Sequence, residues 1–251
     1  MSSHYIEFQN VSKSFGDHRV LDGISFYADS GETLVILGRS GVGKSVTLSH
    51  IMGFLQPDSG RVWVAGEDIT DFDESELQRI HTKVTMVFQS GALFDSLTIF
   101  DNVAFPLRER GIWSEENIEE ITFGLLDLLE IRELADSFPS ELSTGTKRAA
   151  AIARALAARP EAILYDEPTT MVDPLMSREI ADLIGRLKRQ LKLTSVVVTH
   201  DTRLAQKVGD RVVFLEDGHV TFFGTMGELP GCKDAQVREF FRLDEINLAI
   251  Q

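Results

Sequence analysis

GRSGVGKS, residues 38–45, follows the apolar run TLVIL, precedes a helix-forming stretch, and fits the spacing G-x-x-x-x-G-K-[ST]. No other stretch restricts the fold as much. Glycines let successive backbone N–H groups wrap a polyphosphate, and the following helix turns its positive dipole end toward it. Lys44 is placed to neutralise phosphate oxygens and the Ser45 hydroxyl to coordinate Mg2+. Such a loop needs a buried strand before it and a helix after it, the arrangement of a layered α/β sheet. An ordinary glycine-rich turn is the bland alternative, and the strand–loop–helix context weighs against it.

The remaining pattern agrees with that class. YIEFQNVSKSF and RVLDGISFYA alternate with period two around the turn GDH. ETLVILG reads as a short buried strand, residues 44–54 as a helix, PDSG as a turn and RVWVAG as an edge strand. KVTMVFQ is a buried strand ending at Gln89, and residues 90–159 are mainly helical, as in EENIEEITFGLLDLLEI. Strands return as EAILYDEP, TSVVVTH, RVVFLEDG and HVTFFG, and DAQVREFFRLDEINLAI has amphipathic helical spacing. No linker or repeat divides the chain. The expectation is one domain over 1–251: an α/β core (1–89 and 160–230), a helical insert (90–159) and a helical tail (231–251).

Charge and cysteine content narrow the function classes. A net charge of −14 argues against a surface that grips nucleic-acid phosphates, and against unaided adsorption to an anionic bilayer. The single cysteine, Cys232, permits no internal disulfide and reads as a bystander in a cytosolic chain. The start MSSHYIEFQN has neither the basic nor the apolar segment of a signal peptide. The longest apolar runs fall far short of the roughly 20 residues that span a bilayer, so a membrane role requires a partner chain.

Two further strands end in chemistry. AILYDEP delivers two adjacent carboxylates, Asp166 to hold Mg2+ and Glu167 to polarise an attacking water; a plain strand-ending turn is the alternative. TSVVVTH ends at His200. A lone histidine is more often structural, but strand ends on one edge of an open parallel sheet converge on the ligand crevice. Gln89 is placed in the same way, with an amide that can reach Mg2+ or the water.

With residues 38–45, Gln89, LSTG, YDEP and His200 in this order, the chain resembles the nucleotide-binding subunits of ATP-binding-cassette (ABC) transporters over nearly its whole length. That resemblance implies an α/β P-loop core of mixed sheet, an inserted α-helical subdomain, an antiparallel β subdomain, and an ATPase using ATP and Mg2+. It implies that Phe15 stacks on adenine beside Val20, and that Gly38, Arg39, Ser40, Gly41, Val42, Gly43, Lys44, Ser45 and Val46 enclose the phosphates. It assigns Ser45, Gln89 and Asp166 to the metal, and Glu167, His200, Gln89 and Lys44 to catalysis. Ser143 and Gly145 are assigned to ATP on the opposite subunit, and Asp173 to communication across the dimer. One phosphate loop and one such signature loop per chain then require two chains, arranged as a C2 homodimer.

VFQSGALFDSLTIFDNVAFPLRE, residues 87–109, is similar to the same segment of Mla-type ATPases, which serve phospholipid transport with MCE-domain (mammalian cell entry) lipid-binding proteins. This implies a subunit peripheral to the cytoplasmic face of the inner membrane, bound to an integral permease through about residues 90–110, with Phe94 and Leu97 as candidate contacts. Alternatives in the same family are the ATPase of a cell-division or lipoprotein-release complex and that of an amino-acid importer. Non-transport members of DNA repair or translation fit less well, because only about 120 residues separate the phosphate loop from Asp166 and the chain is acidic.

Four positions depart from the family pattern. Thr144 stands where the family has glycine, Thr146 where it has Gln, Val46 brings no hydroxyl toward the α-phosphate, and Met171 replaces another glycine. A β-branched residue at 144 fits only if the backbone there is right-handed or extended, and its hydroxyl is then free to cap the next helix or meet phosphate. Lys44, Gln89, Asp166, Glu167 and His200 are all present, which favours a working enzyme with a retuned dimer face.

Overall fold

Described by a computed structural model over residues 4–248, the chain begins with two strands, Ile6–Phe15 (β1) and His18–Ala28 (β2), paired antiparallel through a turn at Gly16. Period-two patterning buries Ile6, Phe8 and Val11 together with Leu21, Ile24 and Phe26. Thr33–Leu37 (β3) is buried throughout and leads through the phosphate loop into Lys44–Ile51 (α1). The helix stops before the expected residue 54, because Gly53 turns left-handed at φ 69°. A Cβ there would lie 2.3 Å from Leu77 Cδ2, so the chain must bend at a glycine.

Ser59–Val64 (β4) and the two-residue Glu67–Asp68 (β5) complete an antiparallel sheet of order β2-β1-β4-β5. The strand RVWVAG is therefore not an edge as expected, since β5 covers it. Glu74–Lys83 (α2), not anticipated above, opens with a reciprocal cap: the Glu76 N–H donates to the Asp73 carboxylate and the Asp73 N–H to that of Glu76.

Val84–Val87 (β6) ends two residues short of Gln89, which lies in the loop beyond it. Residues 90–98 are irregular, so the helices of the insert begin only at Ile99–Arg110 (α3), followed by Glu115–Leu128 (α4) and Thr144–Ala157 (α5). Thr98, Ser114 and Ser143 cap the three N-termini by accepting backbone N–H bonds. On α5 the buried alanines 149, 150, 151, 153, 155 and 157 let neighbouring backbones approach closely.

Ala162–Asp166 (β7), Pro174–Leu191 (α6), Thr194–Thr199 (β8), Thr202–Val208 (α7), Arg211–Glu216 (β9) and His219–Thr225 (β10) complete the core. The larger sheet has the order β10-β9-β3-β8-β7-β6; β10–β9 is antiparallel and the other pairs are parallel, a mixed sheet. Its inner strands β3, β7, β8 and β9 are buried almost throughout because both of their faces are covered, whereas the edge strand β10 is mostly half-buried. Leu34, Ile36, Leu164, Val196 and Val198 face the core shared with β1, β2 and α1. Val35, Leu37, Ile163, Tyr165 and Val197 face the core shared with the insert, α6 and α7. Each buried Leu or Ile contributes about 1.5–3 kcal/mol of hydrophobic stabilisation.

Ala235–Leu248 (α8) packs back on this second core: Val237 is buried, and the Phe240 ring meets Phe214 edge-on at 5.0 Å. The last residues of that expected helix, 249 and 250, lie outside the described residues. Among the described residues no helix is long and apolar enough to cross a membrane.

Candidate functional site

Parallel register builds the site. Leu37 pairs with Thr199, Asp166 with Val198 and Val87 with Tyr165, so β3, β6, β7 and β8 end in one row. The residues just past those ends meet in a cleft of about 440 Å3. Its floor is Ser40, Gly41, Gly43, Lys44, Ser45 and Val46; Gln89, Glu167 and His200 line it too, and Phe15 and Val20 reach in from the antiparallel sheet. Phe15 is 48% exposed, an aromatic face open to the cleft rather than a core side chain.

The phosphate loop holds its shape through glycines. Gly41 and Gly43 have φ of 86° and 105°, and a Cβ on Gly43 would lie 2.7 Å from Leu21 Cδ2. Lys44 is buried, and its Nζ donates to the carbonyls of Gly38 at 2.8 Å and Arg39 at 3.0 Å. Gly38 and Arg39 thus shape the loop without lining the cleft, and Val42 packs against the hydrophobic core.

Glu167 is the hub. Its backbone is left-handed at φ 45°, held by Glu167 N–H to Val198 O at 2.9 Å and Thr170 N–H to Glu167 O at 3.1 Å. Oε1 lies 3.2 Å from Lys44 Nζ; Oε2 accepts from His200 Nδ1 at 2.9 Å and from Thr170 Oγ1 at 3.0 Å. Burial pushes the Glu167 carboxyl up, but the His200 hydrogen bond and the charges of Lys44 and His200 outweigh it and hold the group below its usual range. The same hydrogen bond to Glu167 raises His200 against its own desolvation.

Asp166 is behind Ser45, whose Oγ donates to its Oδ1 at 3.0 Å. Burial raises the Asp166 carboxyl despite that bond. Ser45, Asp166 and Gln89 offer only hard oxygen donors, and no cluster of three metal-ligating His, Cys, Asp or Glu side chains exists among the described residues. A donor set of that kind fits Mg2+ carried largely by phosphate oxygens and water, not a closed protein cage.

Ser143 and Gly145 stand apart and do not line the cleft. Ser143 caps α5 by accepting the Thr146 N–H at 3.2 Å, and its Oγ is 2.8 Å from Thr146 Oγ1. The cap is therefore Ser143 rather than Thr144, the first helical residue, which has no left-handed backbone and sits without strain. Gly145 is covered by Met176; a Cβ there would fall 1.7 Å from Met176 Cε. Asp173 caps α6 through the N–H groups of Leu175 and Met176. Met171, by contrast, is left-handed at φ 62° with its side chain 86% exposed.

Three residues escaped the sequence reading. His18 and Thr170 line the cleft; the signals were His18's place in the turn beside Phe15 and a hydroxyl three residues after Glu167. Arg148 is 4% exposed on α5, donating to Phe88 O at 2.8 Å and, at the long distance of 3.5 Å, to Thr170 O. Burial lowers its pKa, with Asp166 opposing, and only its position on the inward face of α5 hinted at this.

The chain matches the ABC transporter family over residues 21–170. It is 38% identical to the intermembrane phospholipid transport system ATP-binding protein MlaF of Haemophilus influenzae, over 96% of this chain and 92% of that protein. A probable ribonucleotide transport ATP-binding protein of Mycobacterium leprae is 37% identical over 94% of this chain and 68% of its own length. The methionine import ATP-binding protein MetN of Carboxydothermus hydrogenoformans is 39% identical over 84% and 62%. A dimeric ATP-binding cassette, MJ0796, in a post-hydrolysis state with ADP and Pi superposes with a TM-score of 0.80 at 34% identity, over 88% of this chain and 98% of that one. The strand-end cleft is thus seen in a chain that belongs to the ABC transporter family, and the protein is an ATP-binding, ATP-hydrolysing cassette of a transporter.

Proposed function

We propose that this chain energises phospholipid transport as a homodimer bound to membrane permease subunits. The observation that carries the phospholipid reading is coverage: the chain accounts for 92% of the phospholipid-transport relative but only 68% and 62% of the ribonucleotide and methionine ones, at nearly equal identity.

In the mechanism that this geometry supports, Phe15 stacks on adenine beside Val20, and the loop N–H groups with Lys44 hold the phosphates. Lys44 then exchanges its contact with Glu167 for phosphate oxygens, freeing one carboxylate oxygen for water. Ser45, Asp166 and Gln89 would hold Mg2+, which neutralises charge on the β- and γ-phosphate oxygens when bound. Glu167, kept ionised by His200, takes the proton of the attacking water, and Thr170 fixes the carboxylate's direction. Ser143 and the N-terminal end of α5 complete the site on the second chain, since neither reaches the cleft of its own.

A groove of about 430 Å3 supports the permease contact. It is lined by the exposed aromatics Phe54, Phe88, Phe94 and Phe105, with Arg154 stacked over Phe94 at 5.6 Å. An exposed apolar cluster of that kind marks a docking surface. An MCE-domain protein is the expected further member of the complex.

Co-purification from the native membrane with whatever integral-membrane subunits the chain binds, followed by analysis of bound lipid, tests this reading. Recovery of glycerophospholipid supports it. The methionine relative favours a second reading, an amino-acid importer, which a neighbouring solute-binding protein and absence of bound lipid would select.

A further inference from the structure

Arg148 occupies a place that the mechanism above leaves unused. It lies on α5 five residues beyond the Ser143 cap, about 7.5 Å along the helix axis. Its guanidinium reaches out of the insert to two loops of the core. Nη1 donates to Phe88 O, the carbonyl next to Gln89, and Nη2 points at Thr170 O, in the turn that begins at Glu167.

Three features separate this residue from an ordinary buried arginine. Both acceptors are backbone carbonyls, and it has no carboxylate in ion-pair contact among the described residues. Its Nε–H is buried without an acceptor. Its Thr170 contact is stretched to 3.5 Å while the Phe88 contact is a firm 2.8 Å. For packing alone an apolar side chain of similar volume would serve at lower desolvation cost. A rigid fork gripping two separate loops suits a different purpose, because any shift of α5 is passed to both carbonyls at once.

We infer that Arg148 is a positioning residue that ties the signature helix to the Gln89 and Glu167 loops of its own chain, so that movement of α5 sets the catalytic carboxylate. This rests on the reading that Glu167 activates water and that Ser143 meets ATP held by the second chain. On that reading, nucleotide bound by one chain's cleft pulls the partner's α5 and, through Arg148, aligns the partner's own Glu167. The stretched Thr170 contact and the unpaired Nε–H are the parts that have room to tighten. The two sites are thereby coupled.

The test uses the full-length protein with its membrane subunits. Arg148→Met removes the fork and Arg148→Lys keeps a charge that reaches one carbonyl. Steady-state ATPase kinetics, nucleotide affinity and thermal unfolding are measured for each. For Arg148→Met the expected result is a kcat loss of about 10–100-fold, the scale of a 1 Å misplacement, with ATP affinity within about twofold of wild type and the cooperativity of hydrolysis toward ATP falling. Arg148→Lys should fall between the two. A kcat for Arg148→Met within about twofold of wild type, or a loss that lies wholly in nucleotide affinity, overturns the inference. If Arg148→Met fails to fold, Arg148→Lys carries the test: reduced kcat at unchanged affinity supports the coupling, and wild-type kcat with wild-type cooperativity refutes it. Glu167→Gln measured alongside keeps the two ideas separate, because full hydrolysis there removes the Glu167 reading whatever Arg148 does.

Discussion

His200 Nδ1 lies 2.9 Å from Glu167 Oε2, joining the ends of two adjacent parallel strands across 33 residues of sequence. The contact favours the ionised carboxylate and the protonated imidazole: Glu167 is shifted below its ordinary 4.5 and His200 above its ordinary 6.5. The depressed carboxylate contributes stability that is complete above 4.5 and is lost as pH falls through its folded value. The raised imidazole contributes stability that is complete below 6.5 and is lost as pH rises through its folded value. The pair is therefore whole between those two ordinary values and weakens on either side.

Replacing His200 by Ala removes the strongest influence lowering Glu167 while leaving burial, which raises it. The acid limb of kcat/KM for ATP should move to higher pH, and kcat should fall by about 100-fold or more from the loss of an aligned base. A pH–rate profile of the variant checks both; an unmoved acid limb would show that the contact does not tune Glu167.

Met171 carries left-handed strain at φ 62° with almost no packing to lose, at 86% exposure. Met171→Gly should stabilise the folded chain by roughly 0.5–1 kcal/mol, the relief of left-handed strain less the extra entropy of glycine. Denaturant unfolding measures it. Unchanged or lower stability would show that Met171 carries no strain beyond what glycine's entropy cancels, against this prediction.

Thr144 sits in the first turn of α5 with an exposed side chain and no left-handed backbone. Thr144→Gly should cost under about 1 kcal/mol of stability while raising steady-state turnover in the assembled transporter, if this turn faces the second chain as proposed and its β-branched side chain slows closure there. Unchanged turnover removes Thr144 as a brake.

The sequence made the strand ends legible because each motif is a buried apolar run followed by chemistry, and parallel register then places Lys44, Gln89, Glu167 and His200 together. Local signals failed where tertiary contacts decide. Gly53 ends α1 because of Leu77, a residue 24 positions away. The strand β4 gains β5 through two residues too few to show periodicity. Arg148 was hidden for the same reason, since its partners are backbone carbonyls, which carry no mark in the side-chain pattern.

A site divided between two chains is the central claim, and the most direct measurement is the solution mass of Glu167→Gln with ATP and Mg2+, by analytical ultracentrifugation. The account predicts a species of twice the 28.0 kDa chain mass that retains unhydrolysed ATP, returning to the single-chain mass when Ser143→Arg is added. A Glu167→Gln chain that stays at single mass while hydrolysing ATP at the wild-type rate would contradict it.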